Sequence, residues 1–249
     1  MKATTMYALT ALLAASSVTG CSSTPEGSSA SASSKATGYY TQLGVAYLQK
    51  DRLDLASLNL EKALKQDGDS ADVHHYYALL QDRLGNPSKA GEHFRQALKR
   101  DGKNPDLLNN YGSFQCKSGN ISDAESAFMA AVRDPLYKTP AFAYTNAGIC
   151  VRKRGDNAAA ESYFRQALQA DGHFSEALYQ MAKLSHEKGD NAKAQAFLYR
   201  YNESAPATAD ALLLCYQIET AMHETEKAES CAVALRARFP DSAANSHIN

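Results

Sequence analysis

Residues 111–131 read YGSFQCKSGNISDAESAFMAA. Two stretches with apolar side chains at helical spacing flank Ser118-Gly119-Asn120. A Gly there ends the first helix in a left-handed conformation. The Asn behind it is suited to cap the second helix. Gly112 and Ala124 are small, as two crossing backbones require, and Phe128 fills the space beside them. The stretch therefore predicts two antiparallel helices of about a dozen residues each, too short to be stable alone.

The same pattern recurs along the chain. Gly44, Ala78, Gly112, Gly148, Ala182 and Tyr216 fall in register, and so do Ala56, Ala90, Ala124, Ala160, Ala194 and Ala228. Leu60, Phe94, Phe128, Phe164, Leu198 and Ala232 form a large-residue column. Ala63, Ala97, Ala131, Ala167, Tyr201 and Leu235 form a fourth. The spacing is 34 residues, except for 36 between the third and fourth copies. Such hairpins hold only by stacking on one another. The columns resemble the tetratricopeptide repeat. That resemblance implies an all-α, right-handed superhelical solenoid of six helix-turn-helix repeats at 37–70, 71–104, 105–138, 141–174, 175–208 and 209–242. In the last copy Tyr216 replaces the small residue and Ala232 the large one, a size swap or the mark of a terminal cap. Residues 243–249 read as a polar tail.

The N-terminus has a different character. Lys2 precedes an apolar run from Met6 to Val18, and Val18-Thr19-Gly20-Cys21 closes it. The run is shorter than the roughly 20 residues of a spanning helix, so residues 1–20 read as a cleaved export signal. The tetrapeptide resembles a bacterial lipobox, which implies diacylglycerol on the Cys21 thiol and acylation of the new α-amine. A plain signal peptide with an incidental Cys is the competing reading. Ser22 after the Cys goes, in lipoproteins of this kind, with sorting to the outer membrane. Residues 21–37 are almost all Ser, Ala, Thr, Gly and Pro after the Cys. They read as a disordered tether with an r.m.s. span of about 20–25 Å.

Near-zero net charge, −1 over 249 residues, argues against nucleic-acid binding, which needs a basic surface. Beyond Cys21 the chain has Cys116, Cys150, Cys215 and Cys231. An even count in an exported chain favours disulfides. Of three possible pairings, Cys116–Cys150 and Cys215–Cys231 join neighbours in the stack, with buried free thiols as the alternative.

The first helices of such repeats line a groove. The positions that face it give Gln42, Val45, Leu48, His75, Tyr76, Leu79, Asn109, Asn110, Asn146, Ile149 and Lys183 as candidate partner-binding residues. Asn amides offer both donors and an acceptor to an extended peptide. Lys117, Arg152, Lys153 and Lys183 add positive charge suited to a peptide carboxylate. No His-Glu-x-x-His, P-loop or Gly-x-Ser-x-Gly motif is present, so the chain reads as a binding module and not an enzyme. His74-His75 and His186-Glu187 are adjacent pairs whose members point to different helix faces. The reading is therefore no metal, no cofactor beyond the covalent lipid and no small-molecule substrate.

Three stretches narrow the class: Asn109-Asn110-Tyr111-Gly112-Ser113-Phe114-Gln115-Cys116, Asp134-Pro135-Leu136-Tyr137-Lys138-Thr139-Pro140, and Asn146-Ala147-Gly148-Ile149-Cys150. With the lipid Cys, the tether and the six repeats, they resemble the type IV pilus biogenesis lipoproteins, the secretin pilotins of PilF/PilW type. The resemblance implies a lipid-anchored protein on the periplasmic face of the outer membrane. It implies the pilus secretin as partner, with membrane localisation and multimerisation of that secretin as the task, in support of pilus assembly and twitching motility. An adaptor for another envelope machine, a tight-adherence pilus or a peptidoglycan-hydrolase scaffold, is the alternative.

Overall fold

The computed structural model describes residues 26–248. Among them twelve α-helices follow one another and no strand occurs. They pair as α1 Glu26–Gln49 with α2 Leu53–Gln66, α3 Ala71–Arg83 with α4 Pro87–Arg100, and α5 Pro105–Lys117 with α6 Ile121–Ala131. The series continues with α7 Pro140–Arg152 and α8 Asn157–Ala170, α9 Ser175–Glu187 and α10 Asn191–Ser204, and α11 Ala209–Ala221 and α12 Thr225–Arg238. A short 3-10 helix spans Ala243–His247. These are the six hairpins of the tetratricopeptide solenoid.

The columns of the sequence are the crossings within each hairpin. A Cβ placed on Gly112 would lie 2.7 Å from a ring carbon of Phe128, and one on Gly148 2.5 Å from Phe164. The same test at Gly44 meets Leu60 at 2.5 Å. Ala90, Ala124, Ala160 and Ala194 are fully buried, as are Phe94, Phe128 and Phe164. In the last hairpin, Tyr216 packs on the cluster that contains Ala232, so bulk has moved from the second helix to the first.

Local chemistry sets the ends. Gly85, Gly119, Gly155 and Gly189 have φ between 76° and 85°, the left-handed conformation expected at the turn. Asp156 and Asp190 cap the second helices behind two of these turns, accepting from the backbone N–H of Ala159 and Lys193. Asn86 does not cap; its Nδ2 donates to Gln81 Oε1 at 3.0 Å and pins the turn to the first helix. Pro87, Pro105 and Pro140 open their helices, where a missing N–H costs nothing. Between repeats, Asp67 and Asp171 carboxylates accept from the backbone N–H two residues on, so these turns rest on Asp and not on a left-handed Gly.

Two boundaries differ from the sequence reading. The segment expected as a tether through Thr37 is helical from Glu26. Once α1 is nucleated by packing, extending it is cheap, and its Ala-containing N-terminal stretch permits this. The expected polar tail folds back instead. Ala244 and Ile248 are buried against Leu212, Leu213, Tyr216 and Phe239. Asn245 Nδ2 donates to Phe239 O at 2.8 Å. Among the described residues no repeat follows α12, and this segment covers the apolar face of the last hairpin. Cys21, the export signal and the start of the tether lie outside the described residues.

Candidate functional site: the face of the first helices

The first helices α1, α3, α5, α7, α9 and α11 contact one another in sequence order and make one continuous face. Side chains lock α1 through α9 in succession. Arg83 Nη1 donates to Leu48 O at 3.0 Å and pairs with Asp51 at 3.2 Å. Asn110 Nδ2 donates to His75 Nε2 at 2.9 Å. Asn146 Nδ2 donates to Asn109 Oδ1 at 3.0 Å. Lys153 Nζ donates to Cys116 O at 3.3 Å, and Arg152 Nη2 to Glu187 Oε1 at 2.7 Å. Cys116 and Cys150 are bonded, with Cα atoms 5.7 Å apart, and add a covalent tie between α5 and α7. Cys215 and Cys231, 6.0 Å apart at Cα, tie α11 to α12.

This geometry revises the sequence-based list. Leu48 is buried with Ala56, Leu60 and Leu80, so it belongs to the core and not to the accessible face. His75 is 2 % exposed. Burial lowers its pKa to about 4, so the ring is neutral at pH 7 and accepts from Asn110. Leu79 and Ile149 lean on core clusters and offer only part of their surface. Gln42, Val45 and Tyr76 line a cleft of about 500 Å³ between α1 and the start of α3. Asn109, Asn110 and Asn146 are half-buried and spend part of their capacity on each other's helices. Lys183 is exposed and makes no ion pair among the described residues.

The charge balance of the face also differs from expectation. Lys117 is paired with Asp82 at 3.0 Å and Arg152 with Glu187. These cations stand at the C-terminal ends of first helices, where the helix dipole favours them and a neighbouring repeat supplies the carboxylate. Carboxylates without an ion-pair partner lie at the opposite ends, in first turns where the helix dipole favours them. Asp72, Asp106, Glu176 and Asp210 occupy the second position of α3, α5, α9 and α11 and are exposed. None forms an ion pair among the described residues. The fourth repeat has Phe142 at the second position of the repeat, half exposed, its ring 4.6 Å from that of Phe174. The register already placed these carboxylates in one column. The signal in the sequence is the recurrence of Asp or Glu at the second position of the repeat.

The two-residue insertion before α7 is ordered by Asp134 Oδ1, which accepts from Leu136 N at 2.8 Å. Tyr137 is buried against Ala131 and Ala143, whereas Leu136 is 83 % exposed.

Comparison with known proteins places the arrangement. The tetratricopeptide-repeat family profile matches residues 37–70 and 152–215. A solved structure of PilW, described as a widely conserved type IV pilus biogenesis factor, superposes with a TM-score of 0.77 at 30 % identity. The match covers 84 % of this chain and 96 % of that one. The chain belongs to the PilF/PilW family of tetratricopeptide-repeat proteins. The type IV pilus assembly protein PilF of Pseudomonas aeruginosa PAO1 is 27 % identical over 203 residues, 82 % of this chain and 81 % of PilF. A solved PilF structure also gives a TM-score of 0.77, covering 86 % of this chain and 97 % of that one. The PilF/PilW likeness thus spans more than four-fifths of the chain. Among the described residues no helix is long and apolar enough to cross a membrane.

Proposed function

We propose that this PilF/PilW-family chain is a non-enzymatic scaffold of type IV pilus biogenesis. It is held to the periplasmic face of the outer membrane by lipid on Cys21. Its face of first helices grips a segment of the pilus secretin. That grip delivers the secretin to the outer membrane and promotes its multimerisation, which supports pilus assembly and twitching motility. The carrying observation is the uninterrupted, cross-linked row of first helices in a fold that matches PilW over most of both chains. A rigid, pre-arranged face binds an extended segment without ordering itself first, which lowers the entropic cost of association. Several acyl chains at about 0.8 kcal/mol per buried CH₂ supply a firm anchor. Tethering the captured segment at the membrane raises its local concentration. No covalent chemistry enters this mechanism.

Deletion of the gene, with the secretin followed on gels that preserve its heat-resistant multimers, tests the reading. Loss of multimers is expected. Unchanged multimers overturn it and favour an adaptor for another envelope machine. Cys21→Ala tests the anchor separately. The soluble body is expected to fold normally, by circular dichroism, while losing its membrane fractionation.

A further inference from the structure

We infer that the N-terminal edge of the first-helix face is a docking strip for a basic segment with one large apolar residue at its centre. The inference rests on the scaffold reading above and specifies the chemistry of the segment that the scaffold grips.

The strip is built by the repeat. Five successive repeats present, at the second position of the repeat, Asp72, Asp106, Phe142, Glu176 and Asp210. The order is acid, acid, aromatic, acid, acid. Phe142 is half exposed although its edge meets Phe174, so the pair forms an apolar patch open to solvent. The carboxylates on either side are exposed and form no ion pair among the described residues, unlike Asp51, Asp82 and Glu187 at the other edge. Glu176 accepts only from Gln180 Nε2, at 2.9 Å. Asp72 with Asp106, and Glu176 with Asp210, each act on one tyrosine. Burial raises the pKa of the Tyr76 hydroxyl, and Asp72 and Asp106, from consecutive repeats, raise it further. Tyr179 is pushed up to about 12 by burial, with Asp210 and Glu176 adding to it.

Spacing defines the occupant. Neighbouring packed helices lie about 8–10 Å apart, and an extended chain advances about 3.3 Å per residue. One repeat therefore corresponds to about three residues of an extended partner. The complementary segment carries Lys or Arg at every third position, with Phe or Leu replacing the cation opposite Phe142. An acidic segment is repelled, and a basic segment without the apolar residue loses the one contact that fixes register. The charge term is exposed and so falls with salt.

The test uses a fluorescein-labelled synthetic peptide, Lys-Ser-Ser-Lys-Ser-Ser-Phe-Ser-Ser-Lys-Ser-Ser-Lys, and the purified full chain in detergent with its disulfides intact, read by anisotropy. Two controls replace every Lys by Glu, or Phe by Ser. The basic Phe peptide is expected to bind at least about tenfold tighter than either control. Phe142→Ser is expected to abolish the preference for Phe while retaining salt-sensitive binding. The Asp106→Asn, Glu176→Gln double variant is expected to abolish the preference for Lys while the protein stays folded by circular dichroism. Equal binding of all three peptides, absence of binding at millimolar concentration, or wild-type behaviour of both variants overturns the strip. None of these outcomes touches the secretin multimers of the deletion strain, so failure here is separable from failure of the scaffold reading.

Discussion

The four inner repeats turn from first to second helix through Gly85, Gly119, Gly155 and Gly189, whereas the first and last repeats place Asp51 and His223 in the same left-handed conformation, at φ 55° and 61°. The third and fourth repeats cross on Gly112 against Phe128 and Gly148 against Phe164, while the sixth crosses on Tyr216 and Ala232. Inner hairpins are covered on both sides, so their backbone approach and turn geometry are tightly fixed. A terminal hairpin has a repeat on one side only and tolerates a residue that strains its turn, and the last one also fills its crossing the other way round. The difference teaches that regularity in this solenoid is imposed by neighbours and relaxes where a neighbour is missing.

The contrast is broken most strongly at the crossings. Phe128→Ala removes a fully buried ring and is expected to cost about 3–5 kcal/mol, read as a shift in the urea midpoint. Tyr216→Ala, at a half-buried position, is expected to cost less than half of that. Equal costs would mean that the last hairpin is packed as tightly as the middle ones.

The disulfides come next. Cys116–Cys150 closes a separation of 34 residues across two repeats. Replacing both by Ser is expected to cost about 3–4 kcal/mol in the chain-entropy model and to uncouple the two halves of the stack. Cys215–Cys231 closes only 16 residues within one hairpin. Its removal is expected to lower hydrogen-exchange protection in α11 and α12 alone. Peptide mapping without reductant that finds four free thiols in exported protein would remove both effects.

Acid distinguishes the buried second repeat from the open ends. His75 has a folded pKa of about 4 against an ordinary value of 6.5. Its contribution to stability is whole above pH 6.5, because only the unfolded chain then begins to gain the proton as pH falls. It is lost progressively down to about pH 4, by on the order of 3 kcal/mol. His75→Gln is expected to flatten that part of the urea-midpoint profile. An unchanged slope would assign the acid sensitivity to other groups.

The smallest effect sharpens the turn comparison. Gly119→Ala is expected to destabilise, and His223→Gly to stabilise, each by about 1 kcal/mol, since a side chain in the left-handed region carries that cost. Thermal midpoints moving in the same direction would show that the two turns do not share a conformation.

Most of the fold was legible because the period is a direct record of packing. Gly112, Ala124 and Phe128 name their own contacts once aligned with the other copies, and Gly119 names its turn. Less of the candidate face was legible. Leu48 and His75 hold groove positions by register but are buried, because side chains near a helix crossing turn toward whichever space the neighbouring repeat leaves. Lys117 and Arg152 read as free charge until Asp82 and Glu187 were seen beside them. The terminal segment was the least legible: Ala244 and Ile248 form no periodic pattern, and only the uncovered face of α11 and α12 gives them a place.

The sequence by itself determined the number of hairpins and the crossing residues, since these depend on local spacing and residue size. Tertiary structure alone decided which polar groups on the first-helix face are spent on neighbouring repeats and which stay open to a partner. Satisfaction of a donor or a charge depends on what stands opposite it in space, here a residue some thirty-five positions away, as Lys117 stands opposite Asp82.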